Sequence, residues 1–319
     1  MRFLLPAQFV SAPGATSETW SLSDSLRYTR WLARHHYENF HVVSFLLPRR
    51  LHQDFYNVYA FCRWADDLGD EMGDTTLSLR LLEWWRDELR HMYRDEVRHP
   101  VFVALRQTVL RHSIPEDPFA DLIRAFVQDQ TVTRYQTYAQ LLDYCLYSAN
   151  PVGRLVLDLC GYRDAERRAL SDATCTALQL ANFWQDVTRD LEKGRVYIPI
   201  EDMSSHGYRI EDLEQRRFNK NFREMMRDLV NRTHLLFLEG LPLVERVDRR
   251  LAVDLELFSR GGLVILGKIR DQDYNVLARR PALGKRDRVW LLARAVWRAG
   301  VWRGAPAPAA APEATDASR

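Results

Sequence analysis

The chain has 319 residues, of which 46% are hydrophobic and 28% charged, with only 14 glycines and 13 prolines. This composition excludes a disordered, collagenous or disulfide-scaffold protein and leaves ample length for a buried core. A formal net charge of +2 gives no sign of a nucleic-acid partner, and none is expected.

Met1–Val10 is apolar, but Pro6 interrupts it and no long apolar run follows. Neither a signal peptide nor a transmembrane segment is read there. Residues 1–22 are taken as an N-terminal extension and the protein as cytoplasmic. Ser23 is placed to cap a helix over about Asp24–Tyr37. Asn39–Pro48 reads as an irregular apolar link. The next helix is predicted over Arg49–Met72, where Leu51, Phe55, Val58, Tyr59, Cys62 and Ala65 repeat at helical spacing. Leu77–Tyr93, Val101–His112 and Pro118–Gln130 read as further helices, separated by prolines. Tyr138–Cys160 is predicted as one helix kinked at Pro151. Ala165–Leu191 is the longest uninterrupted helical pattern, ended by Gly194, and Val196–Pro199 is an extended exit. Phe222–Gly240, Arg249–Arg270, Tyr274–Arg279 and Arg286–Trp302 complete an all-α series with no strand pattern. Gly304–Arg319 is rich in Ala and Pro and is predicted to be a disordered tail.

Cys62, Cys145, Cys160 and Cys175 lie in apolar helical stretches without CxxC spacing, which fits buried, reduced thiols. Lysine occurs only at 193, 220, 268 and 285, so the basic residues are nearly all arginine. A GC-rich genome explains that bias without any function; bidentate phosphate recognition is the functional alternative. No glycine-rich nucleotide loop is present, so neither NADPH nor ATP is indicated.

Two acidic helices stand out. In Asp66-Asp67-Leu-Gly-Asp70-Glu71, Asp66 and Asp70 are four apart and share a helix face. Like charges at that spacing repel, and apolar neighbours upstream imply partial burial. Unpaired buried carboxylates are costly unless a cation neutralises them. Mg²⁺ suits such a site because it takes oxygen ligands and bridges carboxylates to substrate phosphates. In the second helix, Asn182, Asp186 and Asp190 form an i, i+4, i+8 ladder set among Leu178, Ala181 and Phe183. Arg189, Lys193 and Arg195 follow closely, as a diphosphate would require. Either motif alone could be a solvated helix end; two of them suggest a metal–diphosphate clamp.

At these residues the chain resembles the squalene/phytoene synthase family. The resemblance rests on Tyr59-Ala-Phe-Cys-Arg63-Trp-Ala-Asp66-Asp67-Leu-Gly-Asp70-Glu71 and on Gln179-Leu-Ala-Asn182-Phe-Trp-Gln-Asp186-Val-Thr-Arg-Asp190. It rests also on Gly194-Arg195-Val-Tyr197-Ile-Pro199 and on Tyr144-Cys-Leu-Tyr147-Ser-Ala-Asn150-Pro-Val-Gly153. It implies a single isoprenoid synthase-type domain over 23–303, an all-α bundle around a deep apolar cavity. It implies Mg²⁺ held by Asp66, Asp70, Asp186 and Asp190, with Tyr59, Arg63, Gln179, Asn182, Lys193 and Arg195 near a prenyl or presqualene diphosphate. Tyr144 and Asp129 take the catalytic positions, and Tyr147 remains the alternative tyrosine.

Glu38–Arg50 and Asn182-Phe-Trp-Gln-Asp186 resemble the bacterial hydroxysqualene synthase branch, which adds water to presqualene diphosphate. Gln185 and Arg189 depart from the charge pattern of the wider family and speak against a two-substrate condensation. The rival activities are a head-to-head prenyltransferase and a non-catalytic assembly factor of the same fold. Gln185 and Asn150 are expected to place a water near the two motifs. Finally, Trp290, Trp297 and Trp302 alternate with Arg288, Arg294, Arg298 and Arg303. Such a helix either packs on the bundle or makes peripheral contact with the inner membrane through 286–303.

Overall fold

The computed structural model describes residues 3–11, 20–35 and 48–301. The segment 36–47, the predicted tail, Trp302 and Arg303 lie outside them. The described residues form helices joined by short turns, and their sole β-type pairing is an isolated bridge between Arg134 and Val196. No described helix is long and apolar enough to cross a membrane.

The first half packs around aromatic residues. Helix α1 (Pro6–Ser11) lays Phe9 edge-on against Trp64, with ring centroids 5.2 Å apart. Helix α2 (Leu22–His35) is capped by Ser21 rather than Ser23: Ser21 Oγ accepts from the Asp24 amide at 3.1 Å. Helix α3 (His52–Asp70) buries Phe61, Trp64, Ala65 and Leu68 on one face. Trp64 stacks on Trp85 of α4 (Thr75–Tyr93) at 5.1 Å and 8°. Aromatic pairs of this kind add about 0.5–1.5 kcal/mol beyond their area. Helices α5 (Pro100–His112) and α6 (Asp117–Gln128) close this half with Phe102 and Phe119.

The predicted Tyr138–Cys160 helix is two helices, α7 (Tyr138–Ser148) and α8 (Asn150–Leu159). Pro151 lies in the first turn of α8, where its missing amide costs least, so the chain breaks at Ala149 instead of kinking. Helix α9 (Ala165–Glu192) is 28 residues long, about 42 Å, and forms the spine of the second half. Asp164 caps it by accepting from the Arg167 amide at 2.9 Å. Two short helices missing from the sequence reading follow, α10 (Ile200–Ser205) and α11 (Ile210–Glu214). Helix α12 (Lys220–Gly240) runs against α9, and Trp184 Nε1 donates to Thr233 Oγ1 at 2.8 Å between them. Gly240 is required there, because a Cβ would collide with Thr174 Oγ1.

Helix α13 (Arg249–Asp271) is followed by a turn, not by the helix predicted over Tyr274–Arg279. Asp273 and Tyr274 adopt left-handed backbone (φ 55° and 60°) that stops the helix, and Pro281 disfavours its restart. Helix α14 (Lys285–Val301) packs back on α13. The four cysteines are free, and burial pushes the thiols of Cys62, Cys145 and Cys160 up to about 12.

Asp254 on α13 is 1% exposed, and neither carboxylate oxygen has a hydrogen-bond partner among the described residues. Burial, and then Asp248, push its carboxyl up to about 8. The folded state therefore keeps a proton that the unfolded state loses near pH 3.8. Its contribution to stability is full below that value and disappears as pH rises towards about 8. Asp254→Asn is expected to stabilise the protein at pH 8 by on the order of several kcal/mol, and by only about 1–2 kcal/mol at pH 5. Thermal melts across that range check it; parallel pH profiles for the two proteins would refute it.

Candidate active site

The first acidic motif ends α3 and the second occupies the last three turns of α9. Each presents its carboxylates on one face because residues four apart align on a helix. The two ends meet at the mouth of a cavity of about 290 Å³. Asp66, Asp70 and Asp190 line it, together with Gln179, Asn182 and Arg195. Leu122, Ala125 and Phe126 of α6 and Phe183 of α9 supply its apolar wall, and Asp129, Tyr144, Ser148 and Tyr197 complete it. Gln130 anchors the acidic end of α3 by donating to the Gly69 carbonyl at 3.1 Å.

Burial raises the Asp66 carboxyl above its ordinary value, with Asp70 and Glu71 adding to the effect and Arg63 opposing it. Burial, reinforced by Asp186, pushes Asp190 up to about 7 against the pull of Lys193 and Arg195. These carboxylates are thus short of positive charge. Cations already approach others of the set. Arg195 Nη2 lies 3.2 Å from Asp70 Oδ1, and Lys193 Nζ is 4.0 Å from Asp70 Oδ2. Among the described residues no three His, Cys, Asp or Glu side chains form a ready-made metal cage.

The predicted residues separate into those at the cavity and those behind it. Gln179, Asn182 and Arg195 join Asp66, Asp70 and Asp190 in its wall. Lys193 stands at the exposed rim. Arg63 braces the first motif from behind, with ion pairs to Asp66 at 3.2 Å, to Glu71 at 2.9 Å and to buried Asp67. Tyr59 lies one turn before it, half-buried beside that guanidinium. Asp186 is 8% exposed and is held by Arg280, whose Nε and Nη2 grip its two oxygens, the latter at 2.9 Å.

Arg280 was missed by sequence reasoning. Ala278-Arg279-Arg280-Pro281 carries no local signal, and only the turn after α13 brings it to α9. That same turn removes the predicted role of Gln185, whose amide donates to the Pro281 carbonyl at 2.6 Å. Asn150 is likewise committed: it is 2% exposed and accepts from Thr176 Oγ1 at 2.9 Å.

Between the two candidate tyrosines, Tyr144 faces the cavity. Its hydroxyl donates to Asp129 Oδ2 at 2.9 Å, while Tyr147 lies under the Arg124 guanidinium, 3.6 Å from the ring centroid. Burial and the adjacent Asp129 push the Tyr144 hydroxyl well above its usual value, so it stays protonated. Burial also raises the Asp129 carboxyl to about 6. Its Oδ1 has no hydrogen-bond partner among the described residues. Phe183 and Tyr197 stack at 3.7 Å and 9° beside this pair. Ser148 lines the cavity, and its Oγ is buried with no described partner.

The Squalene/phytoene synthase family model matches residues 33–287. A phytoene synthase from Thermus thermophilus is 32% identical over 264 residues, covering 82% of this chain and 89% of that protein. A hydroxysqualene synthase from Rhodopseudomonas palustris is 34% identical over 228 residues, covering 70% and 77% respectively. The crystal structure of squalene synthase HpnC from Alicyclobacillus acidocaldarius superposes with a TM-score of 0.77 at 46% identity, covering 80% of this chain and 96% of that one. An all-helical bundle, two facing acidic helix ends and these matches lead to one conclusion: the chain belongs to the squalene/phytoene synthase family.

Proposed function

We propose that the protein converts presqualene diphosphate and water to hydroxysqualene, releasing diphosphate, in a Mg²⁺-dependent reaction. The observation that carries this reading is a cavity with carboxylates and a guanidinium at its mouth, and an apolar wall holding one unpaired hydroxyl within. Similarity to hydroxysqualene synthases and to the HpnC structure supports it.

Asp66, Asp70 and Asp190 would hold Mg²⁺, while Asp186 is engaged by Arg280. When bound, the metal neutralises charge developing on the departing diphosphate. Arg195 and Asn182 orient that diphosphate, and Lys193 meets it at the rim. The C–O bond breaks with its electron pair leaving on diphosphate. Phe183, Tyr197 and Tyr144 present ring faces to the resulting cation, which attracts it through their quadrupoles. Ser148 Oγ holds the attacking water. Asp129 Oδ1 accepts the proton that water loses, while Tyr144 fixes the carboxylate through Oδ2.

Similarity to the Thermus phytoene synthase favours a second reading, head-to-head condensation of two prenyl diphosphates. Retention of all four aspartates argues against a non-catalytic assembly factor. Purified protein with Mg²⁺ in H₂¹⁸O, given presqualene diphosphate or farnesyl diphosphate, separates these readings. Labelled C30 alcohol from presqualene diphosphate without NADPH is expected. Turnover of farnesyl diphosphate alone would establish the condensing activity instead.

A further inference from the structure

Helix α14 has two apolar sides. On one side Ala295 (2% exposed) packs with Val253 and Leu257 of α13, and Leu291, one turn earlier, is 5% exposed. Asp287 adds an ion pair to Lys268 at 2.9 Å. The other side faces away from the protein: Val289 is 68% exposed, Trp290 53% and Trp297 69%, with Ala293 exposed between them. These positions are spaced i, i+1, i+4 and i+8, which is a single stripe along a helix. Isolated exposed apolar residues are ordinary, but a continuous stripe containing two tryptophans marks a surface that something else covers.

We propose that this outward face docks on an anionic phospholipid bilayer, with α14 lying in the headgroup plane. The charge along the helix selects that occupant. Lys285, Arg286, Arg288, Arg294 and Arg298 share it with one acid, Asp287, already paired to Lys268. The Arg294 guanidinium lies 5.4 Å from the Trp290 ring centroid, so cation and indole occupy one level, as they do at a lipid interface. Basic residues near anionic lipid gain attraction that is lost on a neutral surface. A second copy of the chain would instead bring two such basic helices face to face. The helix cannot span, since no described helix is long and apolar enough to do so. Its attachment to α13 means that docking would orient the whole bundle on the bilayer. The inference does not depend on which reaction the cavity performs.

The test is co-sedimentation of the full-length protein with two kinds of vesicle. One is phosphatidylcholine; the other is equal parts phosphatidylcholine and phosphatidylglycerol. Binding to the anionic vesicles is expected, weakening with salt. The double variant Trp290→Glu/Trp297→Glu changes only exposed side chains and should melt like the wild type. Its bound fraction is expected to fall by about tenfold or more. Absence of wild-type binding to the anionic vesicles would overturn the proposal, as would undiminished binding by the double variant. A concentration-dependent dimer that the double variant abolishes would assign the face to a second copy and overturn it equally.

Discussion

Alanine in place of Asp66 or Asp190 is expected to lower turnover by about 10³-fold while leaving the bundle folded. The two sites act on the reaction and on stability in opposite directions. Asp66 is half-buried beside Asp70, which with burial raises its carboxyl, and Asp190 is pushed up to about 7 by burial and by Asp186. Removing either carboxylate relieves repulsion and desolvation, so the melting temperature should hold or rise. On the proposed reaction, removing it would also withdraw an oxygen ligand from Mg²⁺ and weaken stabilisation of the leaving group. Activity lost with stability kept is the signature of a functional site rather than a scaffold residue. Calorimetry and kcat measurements on the same preparations check the pair of effects. Mg²⁺ with inorganic diphosphate should raise the melting temperature of the wild type and do so much less for either variant. Near-normal turnover in both variants would remove the clamp from the mechanism.

The sequence carried the helices and the two acidic motifs because both depend on local spacing. The 3.6-residue period finds the helix and aligns Asp66 with Asp70, but the stripe read from it, through Val58, Tyr59 and Cys62, is only half-buried, and the helix buries Phe61, Trp64 and Leu68 instead. What local spacing could not carry is distance in the chain. Arg280 reaches Asp186 only because Asp273 and Tyr274 take a left-handed turn without a glycine to announce it. Tyr144 and Tyr147 are three apart on α7, the first read as catalytic and the second as its alternative; packing separates them, one onto Asp129 and the other under Arg124. Pro151 signalled trouble in the α7–α8 stretch, but whether a helix kinks or breaks there depends on what its neighbours satisfy. Asn150 is taken up by Thr176 across the gap, so the break persists. For α14, periodicity found the helix but not which apolar stripe would face α13.

Ser148→Ala is expected to change the product more than the rate. With Gln185 held by Pro281 and Asn150 by Thr176, the water-placing amides read from the sequence are occupied elsewhere. Ser148, which lines the cavity, has a hydroxyl that is buried and without a described partner. An unpaired buried hydroxyl costs stability unless a water or ligand completes it, so the site has reason to hold one water. In the proposed reaction ionisation precedes capture and is assigned to Asp66, Asp70, Asp190 and Arg195, not to Ser148. Consumption of presqualene diphosphate should therefore stay within about threefold of wild type, whereas losing one hydrogen bond to the attacking water, roughly 1–1.5 kcal/mol, should shift the ratio of alcohol to eliminated hydrocarbon by about tenfold. Ser148→Thr keeps the hydroxyl and should restore the alcohol. Gas chromatography of products formed in H₂¹⁸O reads both quantities at once. An unchanged ratio in Ser148→Ala would move the water to the Asp129–Tyr144 pair, where Tyr144→Phe should then produce the shift instead.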